Sequence, residues 1–198
     1  MEVRIAAPAD APAIIDIYAP YVLATSISFE SEVPSVQEME KRIDACLTKF
    51  PWIICELDGK VAGYVYASSH REREAYQWTC ECSVYIHPDY KGKGVGSQLY
   101  KALFALLTVQ GMRTAYAGIT LPNDASVRIH ERLGFEFFAL YDHVGYKLHS
   151  WHKVGWWKLR LNEYDPAPAP PLKFSHLDLH QYAAILQEAE QKIRSRII

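Results

Sequence analysis

The sequence predicts a mixed α/β domain in which helices flank a central sheet. Strand-like segments stand first and last in the pattern, and segments with helical periodicity alternate with further strands between them. Two strand-like runs joined by Asp58-Gly59 predict an antiparallel hairpin. With 198 residues, 49% of them hydrophobic, the chain is long enough to bury one core.

Composition argues against two classes of partner. The formal net charge is −2 and 22% of the residues are charged, so no basic surface for nucleic acid is expected. No apolar run approaches the roughly 20 residues of a membrane span, and the N-terminal residues lack a signal-peptide core. We therefore expect neither nucleic acid nor a membrane as partner, and we predict a cytoplasmic location.

Alternation and turn residues divide the first part of the chain into elements. The predicted elements are a strand at residues 3–5, a helix at 10–23, a loop at 25–34, a helix at 35–49, and hairpin strands at 52–57 and 60–68. Ser35 and Glu38 have the spacing of a capping box, which fixes the start of the second helix.

The second part alternates strands and helices again. The predicted elements are a strand at residues 77–86, a helix at 95–110, a strand at 114–119, a short helix at 126–133, and strands at 135–143 and 150–161. Gly134 should stop the short helix. This last third of the chain contains many aromatic residues. Their number is larger than one end of a sheet can bury, which favours a subunit interface.

Residues 165–198 form a separate segment after a domain at residues 1–164. Four prolines between Asp165 and Pro171 favour an extended linker. Beyond it, Ser175 and Asp178 can cap a helix with one apolar stripe. This arm should either dock on the body or a partner subunit, or form a frayed helix.

Two groups of metal-binding residue types lie on predicted strands, and neither predicts a metal site. Cys80 and Cys82 share one strand face with apolar neighbours, which is typical of small buried side chains. His149 and His152 lie in an aromatic run. No second ligand pair has suitable spacing, and the four cysteines are too scattered for a disulfide framework.

A glycine-rich turn joins the strand at 77–86 to the helix at 95–110. Its residues are Lys91, Gly92, Lys93, Gly94, Val95, Gly96 and Ser97. Bare backbone N–H groups at a helix start bind phosphate, and the lysines add charge. The spacing fits neither a Walker loop nor a dinucleotide fingerprint. The chain therefore should bind a phosphorylated cofactor here.

This turn resembles the pyrophosphate-binding motif of the GNAT superfamily of N-acetyltransferases, with Lys91 where the motif has Arg or Gln. Asn123 to Ser126, followed by His130 and Gly134, is similar to that family's second cofactor motif. Short motifs from about Val3 to Leu161 resemble the phosphinothricin and methionine sulfoximine (or sulfone) N-acetyltransferase branch.

The resemblance implies a mostly antiparallel sheet whose two parallel strands, at 77–86 and 114–119, splay apart around the cofactor arm (the acyl-CoA N-acyltransferase fold). It implies acetyl-CoA as co-substrate, and a homodimer. Contacts to the cofactor are then expected from Val84, Tyr85, Ile86, Asn123 and Ser126 as well as from the glycine-rich turn. The oxyanion donor should be a backbone N–H between Ser83 and Ile86, freed by a bulge.

Two residues are candidates for proton transfer. Glu81 is a carboxylate in the middle of a central strand, which costs free energy unless it is paired or used, and the resemblance identifies it as the catalytic glutamate. His130 could protonate the leaving thiolate or share base duty with Glu81. Tyr85 and Tyr116 are alternative acids. A structural salt bridge is the alternative for Glu81.

The acceptor site should contain a cation. Arg73 can grip a carboxylate or phosphinate with two bonds, and with Tyr76 it matches the branch's substrate motif. Phe29 and Glu30 match that motif too. Lys147 and Trp151 lie in a motif that the branch uses near its subunit contact, and Lys147 is a further substrate-binding candidate.

These observations predict an enzyme that transfers the acetyl group of acetyl-CoA directly to the α-amine of phosphinothricin, methionine sulfoximine or methionine sulfone. Two alternatives are an acetyltransferase for another small amine or a protein N-terminus, and a non-catalytic acyl-CoA sensor. The presence of both Glu81 and His130 counts against the sensor, because a pure binder needs neither.

Overall fold

A computed structural model describes residues 1–197, apart from the side chains of Leu179 and Gln181. It contains one seven-stranded sheet with the order β1-β2-β3-β4-β5-β7-β6. The strands are β1 (Glu2–Ile5), β2 (Trp52–Leu57), β3 (Lys60–Ser69), β4 (Thr79–Ile86), β5 (Thr114–Leu121), β6 (Glu136–Lys147) and β7 (Ser150–Arg160). Only the β4–β5 pair is parallel, which confirms the mixed, mostly antiparallel fold.

Five helices accompany this sheet. They are α1 (Ala11–Ala24), α2 (Val36–Lys49), α3 (Val95–Val109), α4 (Asp124–Arg132) and α5 (Leu179–Ile197). Ser35 caps α2 as predicted, because its side chain accepts from the Glu38 N–H at 3.2 Å. Asp58 and Gly59 both have positive φ, as the tight turn between β2 and β3 requires. None of the helices described is long and apolar enough to cross a membrane.

The helices cover both faces of the sheet because strand residues alternate between faces. On one face, α1 and α2 bury residues such as Ile14 and Ile43 against Ile54 and Tyr64. On the other face, α3 and α5 pack against the opposite set of strand residues. Cys80 and Cys82 lie in this second core, as predicted.

Several details of the elements differ from the sequence-based prediction. β4 begins at Thr79 because Glu74–Tyr76 forms a 3₁₀ turn before it. β6 continues to Lys147 instead of ending at His143, since an irregularity between Tyr141 and Gly145 lets the pairing with β7 resume. No bulge interrupts β4, whose register with β3 is continuous from Cys80 to Ile86, so the predicted bulge is wrong.

The C-terminal segment docks on the body, which is one of the two predicted alternatives. Trp78 Nε1 donates to the Ala169 carbonyl at 2.8 Å, and Gln110 and Leu172 exchange two hydrogen bonds that hold the proline-rich stretch. Leu186, Ala189 and Ile193 are buried in the core that contains α3. These hydrogen bonds therefore hold the linker along the surface of the body.

Candidate active site

The glycine-rich turn has the backbone geometry of an anion site. Gly92 and Gly94 have φ of +78° and +81°, a region that side chains disfavour. α3 begins directly after Gly94, and no side chain caps its first N–H groups. The free N–H groups and the positive end of the helix dipole therefore face outward at Val95 to Ser97, beside the exposed Lys91 and Lys93.

β4 and β5 separate beside this turn. Their pairing covers only three residue pairs and ends at Glu81 opposite Tyr116, while β4 stays paired with β3 as far as Ile86. The His87 N–H donates to β3. Because N–H groups along a strand alternate in direction, those of Val84 and Ile86 point away from β3, into the gap. The splay, and not a bulge, frees these donors.

Glu81 stands where the pairing ends. Its Oε1 lies 2.9 Å from His70 Nδ1 and 3.9 Å from Arg71 Nη1. The His70 ring packs against Tyr116 in a tilted arrangement with a centroid distance of 4.5 Å, which fixes the imidazole against β5. The carboxylate therefore has an ordered hydrogen-bonding partner.

A cavity of about 330 Å³ opens in front of Glu81. Its walls come from the loop after α1, from the half of β5 that does not pair with β4, and from the β6–β7 hairpin. The lining residues are Ile27, Phe29, Glu81, Gly118, Thr120, Tyr141, Val144, Val154 and Trp156. A small apolar chamber with one carboxylate suits a small amine acceptor.

Phe29 is held in this wall by Gly145 and Lys147. The Phe29 ring lies directly against Gly145, where any side chain would collide with it. Lys147 Nζ donates to the carbonyls of Val22 and Ser28 at 2.6 Å each. Burial lowers the pKa of this lysine. Lys147 thus anchors the loop that carries Phe29, and its ammonium does not face the cavity.

Glu30, although adjacent to Phe29, lies elsewhere. Its carboxylate accepts from Tyr18 at 3.1 Å and pairs with Arg42 at 2.7 Å. It lines a second cavity of about 340 Å³ between α2 and the sheet. Ser68, opposite Glu81 on β3, also lines that second cavity. Glu30 therefore contributes to this neighbouring cavity, which reaches Ser68 beside Glu81, and it does not line the cavity in front of Glu81.

His130 lies on the opposite face of the sheet from Glu81. Its Nε2 is 3.0 Å from Tyr100 Oη and its Nδ1 is 2.7 Å from the Ser126 carbonyl. The ring is 3% exposed, and burial lowers its pKa. Tyr100 belongs to the α3 core, so His130 packs on that side of the sheet, and its roles as an acid for the thiolate or as a base shared with Glu81 stay predictions. Both nitrogens are occupied, which favours a structural role for His130.

The two alternative acids are embedded in aromatic clusters. Tyr85 packs edge-on against Tyr18 and Tyr21, and burial raises its pKa well above the usual value. Burial also raises the pKa of Tyr116, whose ring lies against His70. Ring packing alone therefore explains why Tyr85 and Tyr116 are in these positions with their phenols protonated.

Arg73 and Tyr76 lie in the loop that leads into β4. Arg73 is exposed and immediately precedes the 3₁₀ turn that ends at Tyr76. The Tyr76 ring lies 6.4 Å from the His70 ring. Neither residue lines the Glu81 cavity, and Tyr76 lies on the His70 side of Glu81.

Asn123 and Ser126 open α4. The Asn123 side chain accepts from the Ser126 N–H at 3.1 Å and so caps this helix. α4 lies next to the glycine-rich turn, because a Cβ on Gly96 would be 3.6 Å from Ile129 Cδ1. Their predicted cofactor contacts stay a prediction.

His70 was not among the functional residues predicted from the sequence. Ser69 and Cys80 are opposite each other where β3 and β4 begin to pair. A histidine one residue beyond Ser69 is therefore within reach of Glu81. The signal was present in the hairpin register, but the register of β3 with β4 was not predicted.

Comparison with known proteins places these features in a family. Residues 3–156 match the model of the acetyltransferase (GNAT) domain. A phosphinothricin N-acetyltransferase of Streptomyces viridochromogenes is 36% identical over 87% of this chain and 93% of its own length. An L-methionine sulfoximine/L-methionine sulfone acetyltransferase of Salmonella typhimurium is 33% identical over 83% of this chain and 96% of its own.

A solved structure agrees with this match. The GNAT superfamily phosphinothricin acetyltransferase of Sinorhizobium meliloti, in complex with acetyl-CoA, has a TM-score of 0.80 and 30% sequence identity. The similarity covers 87% of this chain and 97% of the other. The fold and most of the length are therefore shared.

Proposed function

Because the chain belongs to the GNAT acetyltransferase family, we propose that it transfers the acetyl group of acetyl-CoA to the α-amine of a small amino-acid analogue. The acceptor class is phosphinothricin, methionine sulfoximine or methionine sulfone. The match covers more than nine-tenths of the length of relatives that have these activities in their names. The predicted cytoplasmic location stays a prediction.

The residues present suit acetyl-CoA. The uncapped start of α3 and the two positive-φ glycines offer N–H groups to its diphosphate. The unpaired edge of β4 offers the Val84 and Ile86 N–H groups to the pantetheine amides and to the thioester oxygen. Acetyl-CoA supplies the thioester, and the protein supplies binding, orientation and proton transfer.

One observation carries this proposal: β4 and β5 stop pairing at Glu81 itself, so the gap and the acceptor cavity meet at this carboxylate. An amine in the cavity would lie between Glu81 and the open edge of β4. Glu81 would accept the amine's proton, directly or through a water, while His70 holds the carboxylate in place.

The experiment that tests this function follows CoA release from acetyl-CoA with methionine sulfone, phosphinothricin, an N-terminal peptide or no acceptor. We expect release only with the amino-acid analogues. Release with the peptide alone would favour a protein N-terminal acetyltransferase. Tight CoA binding without release in the presence of any amine would favour the sensor.

Arg73→Ala should raise the Michaelis constant for methionine sulfone or phosphinothricin roughly ten- to a hundredfold, because a charge-assisted hydrogen bond to the acceptor's acidic group is lost. The constant for acetyl-CoA should change little. Steady-state kinetics with each substrate varied in turn measures both constants.

Arg71→Ala is the matched comparison, since Arg71 is in the same loop and lies 3.9 Å from Glu81. If Arg71→Ala raises the acceptor constant and Arg73→Ala does not, the assignment to Arg73 is wrong. The acetyltransferase activity would stand in that case.

We also propose that the protein is a homodimer formed through the β6–β7 hairpin. Large apolar side chains are exposed along this hairpin, and the paired rings of Tyr146 and Trp151 are 61% and 59% exposed. Exposed apolar patches of this kind are typical of interfaces. The family resemblance also predicts that the motif containing Lys147 and Trp151 lies near a subunit contact, and this motif is part of the same hairpin.

Trp151→Glu should weaken the dimer roughly 30-fold or more, because an aromatic anchor becomes a charge. Light scattering coupled to size-exclusion chromatography over a dilution series measures the change. Leu23→Lys, at a residue that is 63% exposed on α1, should leave the dimer intact. A wild-type protein that is monomeric at micromolar concentration would exclude the proposal.

A further inference from the structure

The glycine-rich turn contacts a residue from the far end of the chain. A Cβ built on Gly94 would lie 2.9 Å from Arg196 Nη1 and 3.0 Å from its Cδ. The guanidinium therefore rests on the bare backbone at the residue that precedes α3. This contact joins α5 to the phosphate-binding turn.

The packing of α5 explains why Arg196 reaches this point. Leu186, Ala189 and Ile193 form the buried stripe of the helix, and Ile193 is fully buried. Residues three apart on a helix lie on the same side, so Arg196 continues this stripe by one turn. Because this stripe is packed, the Arg196 side chain lies at the end of α3 where the glycine-rich turn is.

Three cations, Lys91, Lys93 and Arg196, lie at the turn. The Lys91 and Lys93 ammonium groups lie over the Tyr21 and Tyr90 rings, at 5.0 and 5.1 Å from the centroids. Arg194 and Lys192 on α5 are paired with carboxylates. Within residues 1–197, neither the two turn lysines nor Arg196 forms an ion pair.

We propose that Arg196 binds a phosphate group of CoA, so that the C-terminal helix completes the cofactor site. This inference rests on the proposed function and extends it to a segment beyond the matched family domain, which ends at residue 156. Like-charged groups gathered at one turn repel one another until an anion binds between them. A guanidinium is suited to this because its planar fork matches phosphate oxygens.

The test compares phosphate-bearing and phosphate-free ligands. By calorimetry, Arg196→Ala should raise the dissociation constant of CoA roughly tenfold, because a charge-assisted hydrogen bond is lost. Arg196→Lys should recover part of the loss. Arg194→Ala is the matched control on the same helix, and its CoA affinity should equal that of wild type.

The ligand series locates the phosphate. If the loss disappears with dephospho-CoA, Arg196 contacts the 3′-phosphate; if it persists, Arg196 contacts the diphosphate. With S-acetylpantetheine as acetyl donor, wild type and Arg196→Ala should have equal Michaelis constants. Unchanged or tighter CoA binding by Arg196→Ala, or an equal loss with S-acetylpantetheine, would overturn the inference. A wild type that binds no CoA would instead refute the proposed function.

Discussion

Replacing Glu81 with glutamine should lower turnover roughly 10²–10⁴-fold, the usual cost of a lost general base. Glutamine keeps the shape of the side chain and can still bond to His70, but it cannot accept a proton from an amine. The Michaelis constants for both substrates should therefore change no more than a few-fold. Steady-state rates of CoA release across neutral pH measure these quantities.

Two further variants test whether the loss of turnover is specific to the Glu81 carboxylate. Glu38→Gln removes an exposed carboxylate of α2 that pairs with Arg42, and it should leave turnover unchanged. His70→Ala should lower turnover by a smaller factor than Glu81→Gln, because it removes the partner of the carboxylate and leaves the carboxylate. If Glu81→Gln keeps turnover within a few-fold of wild type, Glu81 is structural and the base lies elsewhere.

Gly94→Val should weaken CoA binding by about a hundredfold or more, since several charge-assisted bonds between backbone N–H groups and phosphate would be lost together. Valine disfavours the φ of +81° at this position, and its Cβ would meet Arg196. The turn must therefore rearrange. Calorimetry with CoA measures the loss.

Gly59→Val is the matched control for Gly94→Val. Gly59 has a φ of +75° and open space around its missing side chain, so this variant carries similar backbone strain at a residue outside the glycine-rich turn. Both variants should lose thermal stability, but only Gly94→Val should lose CoA affinity. If Gly94→Val and wild type bind CoA equally well, the diphosphate does not bind at this turn.

The order of elements could be predicted from local patterns. Ser35 caps α2 and Asp58-Gly59 turns the hairpin because these features act over a few residues. Alternation also placed Cys80 and Cys82 in the core. The length of β6 was underestimated, because pairing resumes with β7 beyond a local irregularity that no periodicity reveals.

The candidate site could be predicted only in part, because it depends on contacts between distant segments. The separation of β4 from β5 was implied by the family resemblance and not by the alternation of either strand. The pairing of His70 with Glu81 depends on the register between β3 and β4. The placement of His130 behind the sheet depends on how α4 packs against Tyr100.

The docking of α5 has a consequence for biosynthesis. The Val3 N–H donates to Glu190 at 3.4 Å, and Arg194 reaches the Met1 carbonyl at 3.5 Å, so the first strand and the last helix are joined. Contacts between residues this far apart in sequence form late and slow folding. On the ribosome, the outer side of α3 stays uncovered until α5 has been made. The native packing of α3 therefore completes only after α5 has been synthesised.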